Sequence, residues 1–278
     1  METTTELITP ELAAEYLSHN CTNRSLRGKD VDALARDMIN GKFVLTHQGI
    51  ALDSAGNLLD GQHRLSAVVK AGVSVYMRVT RGIKFEDAAF MDIGVKRNLQ
   101  DGFAFSGKYS DSPALRNKAM SGAVRKLARF GYNAGITLSN AEVETLLDAF
   151  SDEIKALYKC STSRKSTNSA VNAAALSALL CGESEDDIYR YFSIFLNGDS
   201  TDCDGYNIAA VYNWNRQLMD AKIRHLAMQP AKVYSATQNS IWNFIHADSS
   251  KLIRATKTTR YPVVKIIKAI LERNAGDN

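Results

Sequence analysis

Cysteines and long hydrophobic runs are both scarce in this sequence, and each absence excludes a class of protein. The four cysteines among the 278 residues form no Cys-x-x-Cys pair, so neither a disulfide framework nor a zinc site is indicated; they are Cys21, Cys160, Cys181 and Cys203. No apolar run approaches the roughly 20 residues that span a membrane. The opening stretch METTTELITPELAAEYL lacks the basic start and apolar centre of a signal peptide. We therefore expect a cytoplasmic protein with no membrane partner.

The charge of the chain is unevenly distributed, although its composition is ordinary. Apolar residues make up 45% and charged residues 23% of the chain, and the net charge is +4. Residues 93–132 carry eight basic side chains against two acids, residues 251–273 carry seven against one, and an acidic stretch lies between them. This pattern favours a polyanion as partner, with solvated helix faces as the alternative.

The first hundred residues predict a small mixed α+β domain. Thr9 and the proline after it fit the N-cap and first position of a helix, and a second helical pattern ends at Gly41. The stretch GIALDSAGNLLDG predicts a hairpin, because short apolar runs flank a turn-forming segment. A helix ending at Gly72 and an alternating strand over 73–79 follow. We expect a small mixed sheet with flanking helices.

Beyond Gly107 the sequence predicts helices. PALRNKAMSGAVRKLARF is amphipathic, SNAEVETLLDAF places Ser139 and Glu142 at capping-box spacing, and Ser184 fits the N-cap of SEDDIYRYFSIFL. NSIWNFIHAD and YPVVKIIKAILERN also have helical patterns. We therefore predict a domain over residues 1–107 and a mostly helical domain over 108–278.

Four polar residues and a glycine stand between a strand-like run and a helix-like run: Asp60, Gly61, Gln62, His63 and Arg64. A helix that starts here offers an anion site at its N-terminus, and Gly61 lets a phosphate approach the backbone. Arg64 can add a bidentate phosphate contact, and His63 can donate to a phosphate or shuttle a proton. Asp60 can hold a cation or accept a proton from a hydroxyl. The alternative is a polar turn in which Asp60 caps the helix and Arg64 pairs with an acid.

The wider pattern resembles a known superfamily. NRSL at residues 23–26, a helix, a hairpin, DGQHRLSAVVKAGV and a strand resemble the N-terminal domain of ParB, within the ParB/sulfiredoxin-like superfamily. They also resemble DGQHR proteins of DNA modification systems and many phage and mobile-element proteins. The resemblance covers residues 7–105. Relatives hold CTP in ParB, ATP in sulfiredoxin and ADP in a free-serine kinase at this turn, so it implies a nucleotide (ATP, ADP or CTP) with Mg²⁺.

The resemblance also assigns roles to individual residues. It implies that Asp60 is an acid/base or a metal-linked residue. With the proton chemistry of His63 described above, Asp60 and His63 are the predicted catalytic residues and Asp60 is the predicted metal ligand. A second element is MDIGVKRNLQD, which follows the strand as an N-x-x-R segment does in ParB. The implied phosphate and nucleotide contacts are Gly61, Gln62, His63, Arg64, Asn23, Arg24 and Arg97.

The chain also departs from these families. Gln62 stands where sulfiredoxin needs a cysteine beside the His-Arg pair, so reduction of a sulfinic acid is not implied. ParB has G-E-R-R where this chain has GQHR, and its helix-turn-helix and dimerisation regions have no recognisable counterpart. Chromosome partitioning and CTP as the specific nucleotide are therefore not implied.

We expect a nucleotide-binding, DNA-associated protein that hydrolyses its nucleotide slowly as a switch. Lys118, Arg125 and Arg129 recur on one helical side, so they are the predicted contacts to DNA phosphates. Two alternatives stay open: a phosphotransferase or nuclease that uses the DGQHR motif, and a binding module without catalysis. A homo-oligomer is compatible with the sequence.

Overall fold

The computed structural model of the protein describes residues 1–20, 26–84, 99–161, 168–248, 253–256 and 259–273. The chain divides into two compact units. The first comprises Met1–Arg97, Thr137–Ala141 and Glu272–Asn278, and the second comprises Asn98–Ile136 and Glu142–Leu271. The boundary predicted at residue 107 lies ten residues further along, so residues 98–107 group with the helical unit.

A four-stranded mixed sheet forms the centre of the first unit. Its strands are β1 (Glu2–Ile8), β2 (Ile50–Asp53), β3 (Leu58–Asp60) and β4 (Val75–Ile83), in the order β1-β4-β2-β3. Strand β4 pairs antiparallel with β1 and parallel with β2, and β2 pairs antiparallel with β3. The helices of this unit are α1 (Pro10–Ser18), α2 (Gly28–Ile39) and α3 (Gln62–Ala71). The predicted architecture of a small mixed sheet with flanking helices is confirmed.

Local capping chemistry sets the ends of these helices. The Thr9 hydroxyl accepts a hydrogen bond from the Leu12 amide at 3.2 Å, and Pro10 is the first residue of α1. Helix α3 ends at Gly72, whose positive φ of 66° is the left-handed conformation common after a helix. Both ends lie where the sequence predicts them.

The core of the first unit lies between the sheet and its helices. Leu65 and Val68 of α3 are fully buried against Ile50 of β2 and against Met77 and Val79 of β4. Burying each of these large side chains contributes about 1.5–3 kcal/mol relative to exposure. This packing fixes the start of α3 against the first residues of β2.

One strand of the sheet was not predicted from the sequence. Strand β1 reads ETTTELI, and Ile8 is its only buried residue. Because nearly all its side chains are polar, the segment lacks the apolar alternation that identifies a half-buried strand. It joins the sheet edge through backbone pairing with β4, in a register that places Ile8 opposite Val75.

The second unit is helical over its described residues. Its helices are α4 (Leu99–Ser106), α5 (Pro113–Arg116), α6 (Lys118–Leu127), α7 (Asn140–Ala149, which begins in the first unit), α8 (Ser151–Ser161), α9 (Ser169–Leu180), α10 (Glu185–Asn197), α11 (Ile208–Ile223), α12 (Pro230–Ile245) and α13 (Val264–Arg273, whose last two residues group with the first unit). No strand follows Ile83 in the described part of the chain. Among the described residues, every helix is too short or too polar to cross a membrane.

The amphipathic segment predicted as one helix over 113–130 is divided in two. Asn117 has an extended backbone between α5 and α6, and its side chain accepts from the Ala119 amide at 2.7 Å. Asparagine favours this N-cap role because its side chain satisfies a backbone N–H that the helix leaves open. Helix α6 then runs into a π-helical turn, Ala128–Tyr132.

Candidate functional site

The DGQHR motif forms the junction between β3 and α3. Asp60 ends the strand, and Gly61 is the N-cap of the helix with φ +105°. A Cβ at Gly61 would lie 3.2 Å from the Cα of Ile50, so the position requires glycine for conformation and for space. The first hydrogen bond of the helix runs from the Leu65 amide to the Gly61 carbonyl at 3.0 Å. The predicted strand-to-helix turn is confirmed.

Arg64 links the motif to the beginning of β2. Its Nη1 donates to the Gly49 carbonyl at 3.0 Å and lies 3.7 Å from a carboxylate oxygen of Asp60. Gly49 is pressed against β4, since a Cβ there would lie 1.9 Å from the Arg78 carbonyl oxygen. A guanidinium carries five N–H donors. The contacts of Arg64 with described residues engage Nη1, which leaves the donors on Nε and Nη2 for a ligand.

His63 and Gln62 are held by residues that precede α2. The Arg27 amide donates to Nε2 of His63 at 3.0 Å, so this ring nitrogen acts as an acceptor and is unprotonated in this arrangement. The Asn20 side chain donates to Oε1 of Gln62 at 3.2 Å, and Gln62 is buried. A ligand at this turn would therefore meet the backbone of Gln62 rather than its side chain.

Asp60 is the acid of the motif and is half-exposed. Within the described residues, no group of three or more His, Cys, Asp or Glu side chains is placed to hold a metal ion. A Mg²⁺ at Asp60 would therefore take its other ligands from phosphate oxygens and water, which is how Mg²⁺ is usually bound beside nucleotides. Asp60 is the one carboxylate of the turn that could contribute a ligand to such an ion.

A cleft of about 740 Å³ opens at the start of α3, entirely within the first unit. This volume is in the range of small-molecule sites, which run from about 300 to 1,000 Å³. The walls are one face of α2, the loop after it, the DGQHR turn and a segment from far along the chain; they comprise Arg27, Asp30, Ala33, Leu34, Asp37, Lys42, Phe43, Val44, Thr46, Gln48, Asp60, Gly61, His63, Arg64 and residues 137–141.

The wall formed by Thr137–Ala141 was missed by sequence reasoning. Nη2 of Arg36 donates to the Thr137 carbonyl at 2.6 Å, and the Ser139 hydroxyl donates to Oδ1 of Asp37 at 2.6 Å. Leu138 is buried between these two contacts. The segment lies more than 70 residues after the motif, and no local pattern links the two. From the sequence, Ser139 has only the pattern of a helix-capping residue.

The other predicted site residues are distributed as follows. Asn23, Arg24 and Arg97 lie outside the described residues. Lys118 and Arg129 are exposed, at the start of α6 and in the π-helical turn. Arg125 is half-buried; burial lowers the pKa of its guanidinium, and the nearby charge of Glu142 partly opposes that shift. Lys118 and Arg129 are therefore open to solvent, whereas Arg125 is not, and Arg129 lies beyond the end of α6.

A second cleft of about 580 Å³ lies beside the β2–β3 turn in the same unit. Three of the polar side chains that line it, Tyr16, Asp53 and Arg81, are engaged within the chain. Nη2 of Arg81 donates to Glu6 at 2.9 Å and to the Tyr16 hydroxyl at 2.7 Å. Asp53 accepts three hydrogen bonds of 2.8 Å from Ala55 and Asn57, and the Asn57 side chain is the main cause that lowers the pKa of this carboxyl. These contacts stabilise the hairpin and the edge strand.

Comparison with known proteins gives no relative: no family model, no curated protein and no solved structure matches the chain. The geometry of the cleft and the chemistry of the residues that form it are therefore the structural basis for a function.

Proposed function

We propose that this protein binds a nucleotide by its phosphates at the start of α3, in the manner of ParB/sulfiredoxin-like proteins. The observation that carries the proposal is the cleft that places Gly61, His63 and Arg64 on one surface with Arg27 and Lys42. Anions are favoured at a helix N-terminus, and an arginine fork matches a phosphate. The one carboxylate within this turn, Asp60, lies beside the Arg64 guanidinium, which offsets its repulsion of a phosphate.

The nucleotide we propose is ATP, ADP or CTP, accompanied by Mg²⁺. Asp60 is the proposed acid/base and would share the metal with the phosphates, and His63 is the proposed proton carrier. Slow hydrolysis would make the protein a switch between two states. A phosphotransferase is the second candidate, because Asp60 is a half-exposed carboxylate that lines the cleft and can accept the proton of an acceptor hydroxyl.

A thermal-shift series with ATP, ADP and CTP, with and without Mg²⁺, tests the proposal. A ligand present at a hundredfold excess over its Kd should add about 2.7 kcal/mol to the free energy of unfolding. Lys70→Ala is a control variant that the nucleotides should stabilise as much as the wild type, because Lys70 lies on α3 but outside the cleft, paired with Asp32. Failure of all three nucleotides to stabilise the protein would overturn the proposal. Phosphate release with and without a hydroxyl acceptor then separates the switch, the phosphotransferase and the non-catalytic module.

We also propose that the helical unit contacts DNA phosphates, through Lys118 and Arg129 in particular. Each phosphate contact releases counterions, so the log–log slope of affinity against salt should include about −0.9 per contact on duplex DNA. Replacing both residues by alanine should flatten the slope by about two units. Arg125→Ala should instead reduce stability, since Arg125 is half-buried near Glu142. If the protein fails to bind DNA at low salt with or without nucleotide, the DNA role is wrong and the phosphotransferase becomes the better account.

A further inference from the structure

The two ends of the cleft are joined by helix α2. Where the helix begins, the Arg27 amide contacts His63 of the DGQHR turn. Near its end, Asp37 contacts Ser139 of the segment 137–141. Ten residues separate Arg27 from Asp37, which is about 15 Å along a helix at a rise of about 1.5 Å per residue. The phosphate-binding turn and the segment 137–141 therefore contact opposite ends of this helix.

The end near Asp37 has a different chemistry from the DGQHR turn. Its apolar surface comes from Leu34, Phe43 and Leu138, which all line the cleft. Leu138 is buried, and the half-buried Phe43 packs against the core of the first unit, so both are held in place. The carboxylate of Asp37 and the hydroxyl of Ser139 add hydrogen-bonding groups beside this surface. A carboxylate repels phosphate but accepts from hydroxyl and amino groups, and it can accept from several donors at once.

A nucleotide has the complementary asymmetry. One end is anionic, and the other carries a flat apolar base with amino groups and a ribose with hydroxyl groups. We propose that the nucleoside part of the bound nucleotide lies at the Asp37 end of the cleft, packed on Phe43 and Leu138, and that Asp37 and Ser139 select it by hydrogen bonding. This proposal rests on the nucleotide-binding function proposed above and assigns the specificity of the same site.

The segment 137–141 is held firmly enough to act as a selective wall. Arg36 fixes its first carbonyl and Asp37 fixes the Ser139 hydroxyl, both at 2.6 Å, on either side of the buried Leu138. A wall whose side chains are already ordered loses little entropy when a ligand binds, so its hydrogen bonds can discriminate between nucleosides.

Titration calorimetry with inorganic tripolyphosphate, ATP and CTP, all with Mg²⁺, tests the assignment. The wild-type protein should bind at least one nucleotide about tenfold more tightly than tripolyphosphate, which is the effect of one additional good contact. Phe43→Ala and Asp37→Asn should weaken nucleotide binding by about tenfold and leave tripolyphosphate binding unchanged. Arg64→Ala should weaken both. Asp32→Asn is the control, since Asp32 lies on α2 outside the cleft and pairs with Lys70.

The outcomes separate this inference from the function on which it rests. Equal wild-type affinity for tripolyphosphate and both nucleotides would overturn the nucleoside site but not the phosphate site. Equal weakening of all three ligands by Phe43→Ala and Asp37→Asn would have the same meaning. Absence of binding by every ligand would overturn the proposed function, and the inference with it. Ser139→Ala provides a second variant if Asp37→Asn lowers the thermal midpoint, because it removes the hydroxyl donor and preserves the Asp37 carboxylate.

Discussion

Replacing Arg64 by alanine perturbs both the stability of the first unit and the proposed phosphate site. The Arg64 side chain is only 19% exposed, and its Nη1 bonds the Gly49 carbonyl and approaches Asp60. The two effects are measurable separately, because one is seen in the protein without ligand and the other only when a nucleotide binds.

The magnitudes follow from these contacts. A hydrogen bond from a charged donor contributes about 1.5–3 kcal/mol, and a half-exposed ion pair such as Arg64–Asp60 adds between about 0 and 1 kcal/mol. We therefore expect Arg64→Ala to lower the free energy of unfolding by about 1.5–4 kcal/mol. Loss of the phosphate contact should weaken nucleotide binding by a further 1.5–3 kcal/mol, or about 10- to 150-fold.

Urea denaturation measures the first quantity, and titration calorimetry on the folded variant measures the second. Lys70→Ala removes one positive charge from the same helix at an exposed pair, so it should cost less than about 1 kcal/mol and leave nucleotide affinity unchanged. Arg64→Lys should recover part of the affinity but not the bidentate geometry. A folded Arg64→Ala protein with wild-type nucleotide affinity would show that Arg64 is purely structural, and the phosphate assignment would be wrong.

Three further predictions concern stability and are checked by urea denaturation. Hydrogen bonding to Arg81 lowers the pKa of Glu6 from 4.5 to about 2, so its stabilisation is fully present above pH 4.5 and is lost as the pH falls towards 2. Because the pair is partly exposed, this acid-dependent loss of stability should amount to only about 1 kcal/mol, and Glu6→Gln should abolish it. An unchanged pH profile in Glu6→Gln would contradict the assignment. Gly61→Ala should cost at least about 1–2 kcal/mol because of its positive φ, whereas Gly102→Ala in α4, with open space around it, should gain up to about 1 kcal/mol; equal effects would refute the conformational argument. Trp214→Phe should cost about 1–3 kcal/mol, since it removes a buried hydrogen bond of 3.0 Å to a threonine hydroxyl, and a neutral result would show that this bond is dispensable.

Much of the local structure of the first unit was predictable because a few neighbouring residues determine it. Thr9 caps α1, Gly72 ends α3, and Gly61 turns the chain from β3 into α3, as the sequence predicted. The amphipathic pattern over 113–130 predicts helix but not the break at Asn117, whose side chain accepts a hydrogen bond from a backbone amide as the N-cap of α6. Capping competes with helix propagation over only a few residues, and amphipathic spacing alone does not reveal which of the two prevails.

The candidate site was predictable only on one side. The sequence by itself determined the glycine turn, the helix start and the presence of His63 and Arg64 beside it, since adjacent residues set all of these. Tertiary structure alone decided that Arg64 bonds the Gly49 carbonyl and that a segment beginning at Thr137 closes the opposite wall. It also decided that the polar strand β1 completes the sheet edge. These pairings join residues 15 to more than 100 positions apart through backbone atoms and packing, which leave no periodic signal in the sequence on either side of the contact.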